Sequence, residues 1–330
     1  MIEGILQRPL TRRQVLAAGV AAGATLFAGC GSDRQDPAGW TFVDDRKHKV
    51  SLSKRPRRIV AYTTAAAALN QWGVTPVGVF GDNPRQEASL ATFPWAKSQI
   101  VGSVYGEIDL AALLAVKAEL IVSRWYPLAH ASPVFGFKDL AQQKDIDSKV
   151  PIVGISGHRT ATEHIDRFGD LVRALGGDTR STAIAEADAA FNAATRRLSR
   201  VARRKSSLRI IGVSGEQSTM YVAKLVDTAD LTFYEDQGVP LVSARTPEMY
   251  WDSLPWAQAA KYTADGILYD ARQIALPISV VRRIPAFAAL PAVRANQIGT
   301  WQADTPPSYQ AYTQAMNDLA TAIAGWRKVT

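Results

Sequence analysis

The chain has 330 residues, 47% hydrophobic and 21% charged, with a formal charge of +8 and a single cysteine. This length supports a large core in two lobes or domains, and the composition is that of a globular protein. One cysteine excludes an internal disulfide and any cysteine-based zinc or iron–sulfur framework, and His48, His130, His158 and His164 are too dispersed to mark a metal site.

The first segment reads as an export signal. Arg8, Arg12 and Arg13 precede an uncharged run from Val15 to Ala28, about 14 residues and short of the roughly 20 that a spanning helix needs. Phe27-Ala28-Gly29-Cys30 resembles a bacterial lipobox, with Phe27 in the slot usually held by Leu. Thr11 to Leu16 resembles a twin-arginine motif, with Val15 where Phe is commoner, and leaves open the twin-arginine or the general secretory route. Residues 1–29 are therefore expected to be a signal peptide, Cys30 the lipidated anchor, and 30–45 a tether; the alternative is an Ala-rich arm with a buried thiol. Export leaves no expected role for nucleic acid despite the basic balance. The clusters Lys54–Arg58 and Arg203–Lys205 read as a solvated loop and a helix end.

Apolar strands then alternate with helices. Arg58–Tyr62, Thr75–Phe80, Gln99–Gly102, Glu119–Ser123 and Val150–Ile155 read as strands, with helices over Thr64–Gln71 and from Asp109 to Lys117. Thr160–Leu175 and Ser181 to about Arg204 read as helices, the first ended by Gly176-Gly177. Strands resume at Leu208–Val213, Gly266–Tyr269 and Gln297–Trp301. A closing helix, Ser308–Trp326, carries Tyr312, Met316, Leu319 and Ile323 on one face. The stretches from Leu110 and from Leu254 echo each other as helix, Lys, acidic turn and strand, which favours two related α/β lobes.

"RPRRIVAYTTAAAALNQWGVTPVGVFG", "VGSVYGEIDLAALLAVKAELIVS" and "FGDLVRALGG" resemble the iron-chelate branch of ABC-transporter substrate-binding proteins, the class III, helical-backbone family that takes ferric siderophores, heme and cobalamin. "WDSLPWAQAAKYTADGILYDAR" is similar to its actinobacterial iron-siderophore members. The resemblance implies an α/β fold of two Rossmann-like lobes, residues 46–159 and 177–330, joined by a single long helix at 160–176. The ligand lies in a cleft between the lobes, lined from strand C-terminal ends. It implies a monomeric, non-enzymatic carrier with no covalent cofactor, capturing a ferric siderophore or heme at the outer face of the cytoplasmic membrane.

The strand-end loops are rich in aromatics and arginines, suited to a planar or greasy chelate and its oxygens. Candidate ligand-binding residues are Tyr62, Thr63, Tyr105, Arg124, Trp125, Tyr126 and His158 in the first lobe, and Glu216, Arg245, Tyr250, Trp251 and Arg272 in the second. Tyr126 and His158 are candidate iron ligands. Family members dock onto their permease through a glutamate on each lobe; the echo places those slots at Ala111 and Ala257, with Glu107, Asp109 and Asp252 as nearby substitutes. The loss leaves open a heme or siderophore relay, or a surface adaptor, that does not dock onto a permease in the usual way. An exported hydrolase is the remote alternative, because no Gly-x-Ser-x-Gly elbow, HExxH or P-loop is present.

Overall fold

The structure is a computed structural model that describes residues 39–127 and 132–330; the expected signal, Cys30 and His130 lie outside the described residues. Strands β1 (Trp40–Val43) and β2 (Lys49–Leu52) form an antiparallel pair. Trp40–Val43, inside the stretch 30–45 expected as a tether, is therefore part of the folded domain. The reason is packing: Trp40 and Phe42 point inward while Thr41 and Val43 point out. The Trp40 indole donates to Ala174 O at 2.9 Å, and the Arg167 guanidinium lies over Phe42 at 4.5 Å.

The first sheet is all parallel. Its strands are β3 (Ile59–Tyr62), β4 (Gly78–Phe80), β5 (Gln99–Gly102), β6 (Leu120–Trp125) and β7 (Ile152–Ser156), in the order β5-β4-β3-β6-β7. β3 is buried at every position because it is covered on both faces, which is why it reads as an unbroken apolar run. Helix α1 (Thr63–Gln71) follows β3 directly, and its alanines, at most 2% exposed, let the whole helix sink into the core. Helices α2 (Leu110–Ala115, capped by Asp109) and α3 (Leu140–Asp147, capped by Asp139) complete this lobe.

After β7 comes α4 (Ala161–Ala174), opened by a capping box between Thr160 and Glu163. It buries Ile165, Phe168, Leu171 and Val172. Helix α5 (Thr182–Arg204) then leads to the second sheet, with strands β8 (Ile210–Gly215), β9 (Thr219–Ala223), β10 (Trp251–Pro255), β11 (Gly266–Asp270) and β12 (Ile298–Trp301). Their order is β10-β9-β8-β11-β12; β8, β11 and β12 are parallel, and β9 and β10 antiparallel. Helix α6 (Ala229–Asp236), the one-turn helices α7 (Ile278–Val281), α8 (Pro285–Ala288) and α9 (Pro291–Arg294), and the closing α10 (Tyr309–Gly325) surround it. The helix read from Leu254 onward is corrected: Leu254 and Pro255 end β10, and Trp256–Lys261 is a 3₁₀ helix. Pro255 has no N–H to give a ladder, and it sits at the end of an edge strand that needs none.

Two α/β lobes result, with α4 running from the last strand of one sheet toward the other. Beneath them one hydrophobic cluster is continuous from α1 and α4 to α5, α6 and α10, with Trp72 against Tyr309 at 5.6 Å. In this core His164 is fully buried and neither ring nitrogen has a hydrogen-bond partner among the described residues. Burial, helped by Arg124 and Arg159, holds its pKa well below the usual 6.5. Its folded form stays neutral while the unfolded chain takes up a proton, so stability falls as pH drops below 6.5, by at most about 1.4 kcal/mol per unit. A raised carboxylate such as Asp230 acts in the opposite sense. In denaturant titrations at several pH values, His164→Leu is expected to flatten this slope and to add about 1–3 kcal/mol at neutral pH by removing two unpaired groups. An unchanged slope would mean that His164 does not contribute to it.

Candidate functional site

The C-terminal ends of strands from both sheets face a cleft whose free space, mouth included, is about 920 Å³. In open α/β sheets this is where ligands sit. Strand β6 delivers Arg124, and Tyr126 follows it; β7 is followed by Gly157; β11 is followed by Arg272; and β12 by Ala303, Asp304 and Thr305. Tyr105 enters from the loop after β5, and Tyr250 and Trp251 from the start of β10.

Strand geometry sorts the candidates. Successive residues of β6 point to opposite faces, so Arg124 and Tyr126 line the cleft while Trp125 between them packs into the first-lobe core. Tyr62 lies one layer below: it is 5% exposed, edge-on to Phe80 and Phe135, and does not line the cleft. Thr63 is buried at the start of α1. His158 stands at the rim in a separate small depression, its ring 6.5 Å from that of Tyr250. Glu216 lies in the β8–β9 turn, where its carbonyl accepts from the Trp256 indole at 2.9 Å. Arg245 is exposed, and its N–H donates to the Tyr262 hydroxyl at 2.8 Å. Of the twelve candidates, Tyr105, Arg124, Tyr126, Tyr250, Trp251 and Arg272 converge on the cleft; Tyr62, Thr63, Trp125, His158, Glu216 and Arg245 do not.

The residues that sequence reading missed are the ones tying the lobes together. Asp304, buried, forms an ion pair with Arg124 at 2.7 Å, accepts from the Tyr126 hydroxyl at 2.6 Å, and accepts from Thr64 Oγ1 at 2.9 Å. All three partners belong to the first lobe. Nearby, the Trp72 indole donates to Pro307 O, Ser308 bonds Gln71, and Tyr250 donates to Pro127 O at 3.1 Å. Across the cleft, Gln302 and the Gln273 N–H both donate to Glu87. Phe135 is the hub of the aromatic wall, meeting Tyr62, Tyr105 and Tyr126 edge-to-face at 5.1–5.4 Å. Its loop is fixed like an extra strand, with Phe135 N–H donating to Arg124 O and Ser123 Oγ to Phe135 O. The strand-end rule would have found Asp304, three residues beyond β12; Phe135 carries no such signal. Tyr250, a side-chain-bearing residue at φ 67°, is held in the left-handed region, with its N–H donating to Asp227 at 3.0 Å.

Burial opposes the charge of Arg124, but Asp304, Tyr126, Tyr312 and Asp230 together outweigh it and raise its pKa, so it stays charged; its Nε is buried without a partner among the described residues. Arg272 is clamped by Asp270, from Nη2 at 2.8 Å and from Nε to both oxygens. Burial raises the Tyr126 phenol well above its ordinary range, so it stays protonated. No cluster of three or more His, Cys, Asp or Glu able to hold a metal exists among the described residues.

The acidic substitutes for the docking slots also differ. Ala111 and Ala257 are both exposed, on α2 and on the 3₁₀ turn. Glu107 and Asp109 are exposed, but Asp252 is buried and bound by Lys261 and Tyr262, each at 2.7 Å.

No protein-family model matches the chain, and no curated protein matches it. Solved structures do. The fold is similar to that of DesE, a ferric-siderophore receptor protein from Streptomyces coelicolor, with 27% identity over 88% of this chain and 100% of that one, and a TM-score of 0.80. This likeness supports a place for the chain in the iron-siderophore class III substrate-binding family. Two more distant structures share the fold. FhuD from Vibrio cholerae, bound to Fe3+–Desferal, is 16% identical over 80% of this chain and 98% of its own, with a TM-score of 0.56. FeuA from Bacillus subtilis, complexed with ferri-bacillibactin, is 12% identical over 85% and 98%, with a TM-score of 0.64. These neighbours are binding proteins, and no helix among the described residues is long and apolar enough to cross a membrane.

Proposed function

We propose that this protein is a lipid-anchored, extracytoplasmic solute-binding protein that captures a ferric siderophore for uptake without chemically changing it. The observation that carries the reading is the convergence of strand ends from both lobes on one cleft, walled by Tyr105, Tyr126, Tyr250 and Trp251 and floored by two arginines. Ring faces bury the greasy shell of a chelate, and guanidinium N–H groups reach its oxygens. The Asp304 contacts already join the lobes, so capture needs little ordering of the protein. The siderophore supplies every iron donor: the Tyr126 hydroxyl is committed to Asp304, and His158 stands outside the cleft. For the same reason heme, which would want a side chain on its iron, is the less suited ligand.

Cys30 would hold the domain at the membrane, and delivery would be to an ABC permease. A second reading, a surface adaptor or relay without standard docking, draws on Ala111, Ala257 and the sequestered Asp252.

The test is tryptophan-fluorescence titration of the exported domain with ferric siderophores and with hemin. A ferric siderophore is expected to quench the emission saturably, because Trp251 lines the cleft, and Trp251→Phe is expected to remove most of that signal. Saturable quenching by hemin alone would overturn the siderophore reading; quenching by neither would favour the adaptor.

A further inference from the structure

The arginines of the cleft do not make it cationic. Arg124 is matched by Asp304, Arg272 by Asp270, and Lys224 by Asp227 at 3.5 Å. Asp230 remains: it lines the cleft, is 3% exposed, and among the described residues has only neutral hydrogen-bond donors, the Trp301 indole at 2.7 Å, Thr305 Oγ1 at 3.2 Å and Leu231 N–H at 2.8 Å. Asp82, behind the cleft lining, accepts from Tyr105 N–H through Oδ1, and its Oδ2 is buried without a partner among the described residues.

Resting on the function proposed above, we infer that the cleft selects its chelate by charge: it takes a neutral or singly positive complex of the trihydroxamate kind, Asp230 supplies the counter-charge for a ligand ammonium, and triply negative tricatecholate complexes are rejected. The physical reason is that an anionic chelate could engage the arginines strongly only by competing with carboxylates already paired to them inside a poorly solvated site. Neutral hydroxamate oxygens can accept from guanidinium N–H groups while the ion pairs stay intact. A pendant ammonium would give Asp230 a direct ion pair, which it does not have among the described residues. Burial, with the like charge of Asp304, raises its pKa to about 6, which still leaves it mostly ionised at pH 7.5.

The test compares three probes on the wild-type protein by equilibrium titration at pH 7.5: ferric Desferal, which carries a free protonated amine; its N-acetylated derivative, which is neutral; and ferric enterobactin, which is triply negative. Ferric Desferal is expected to bind on the order of tenfold more tightly than the acetylated form, and ferric enterobactin more weakly than either. In Asp230→Asn the preference for the amine is expected to disappear, the ratio of the two hydroxamate affinities falling to about one. Equal affinity for the two hydroxamates, or tighter binding of enterobactin, would overturn selection by charge and leave the siderophore reading standing. Retention of the amine preference in Asp230→Asn would overturn the assignment to Asp230. If that variant fails to fold, the two hydroxamate probes on the wild type decide the matter. Failure of all three to bind would overturn both readings.

Discussion

Asp304→Ala is expected to lower the free energy of unfolding by about 3–5 kcal/mol, measured by chemical denaturation followed in circular dichroism. The loss is large because the substitution strands the Arg124 guanidinium, 3% exposed, with its charge uncompensated and its Nε already unpaired. It also removes the acceptor for Tyr126 and Thr64, whose hydroxyls reach Asp304 across the lobe junction. Replacing both partners, as in Arg124→Met with Asp304→Leu, is expected to restore most of the stability, because no buried charge is then left alone. The double variant should still bind ferric siderophore poorly, since one of the two cleft guanidinium groups is gone. Equal stability of Asp304→Ala and wild type would show that the pair contributes nothing to joining the lobes.

Gly157→Ala is expected to weaken ferric-siderophore binding on the order of thirtyfold, equivalent to about 2 kcal/mol. Gly157 follows β7, and a Cβ there would run into the Tyr126 ring at Cε1 and Cζ. Its own N–H is tied to Trp125 O at 2.7 Å, so the backbone cannot easily retreat and the ring must move. Moving the ring breaks the hydroxyl bond to Asp304 and the edge-to-face contacts with Phe135 and Tyr250 at 5.4 Å. Overpacking of this kind costs about 1–3 kcal/mol of stability. In a Tyr126→Ala background, which has no ring to clash, adding Gly157→Ala is expected to cost little further stability or affinity, which shows that both effects act through that ring. Wild-type affinity in Gly157→Ala would mean that the Tyr126 ring is not part of the binding surface.

Six of the twelve candidate site residues reached the cleft, and the other six missed it for definite reasons. Trp125 missed it because strand side chains alternate, a rule that could have been applied to the sequence once Arg124 was taken to face the ligand. Tyr62 missed it because Phe135, from a loop far along the chain, covers it. The charge of the cleft was misjudged for a similar reason. Arg124 and Arg272 are visible in sequence as cations, but Asp304, 180 positions from Arg124, shows no sign of pairing with it.

What the sequence determined by itself was the layout of elements: five apolar runs for the first sheet, the capped helix α4, and the face of α10 that buries Tyr312, Met316, Leu319 and Ile323. Those features depend on local periodicity and capping, which act over a few residues. Only the tertiary structure decided which strand ends face the cleft, which carboxylate neutralises which arginine, and that Asp230 is held by neutral donors among the described residues. These depend on contacts between residues far apart in the chain, and the electrostatics of the cleft come into being only when burial brings those groups together.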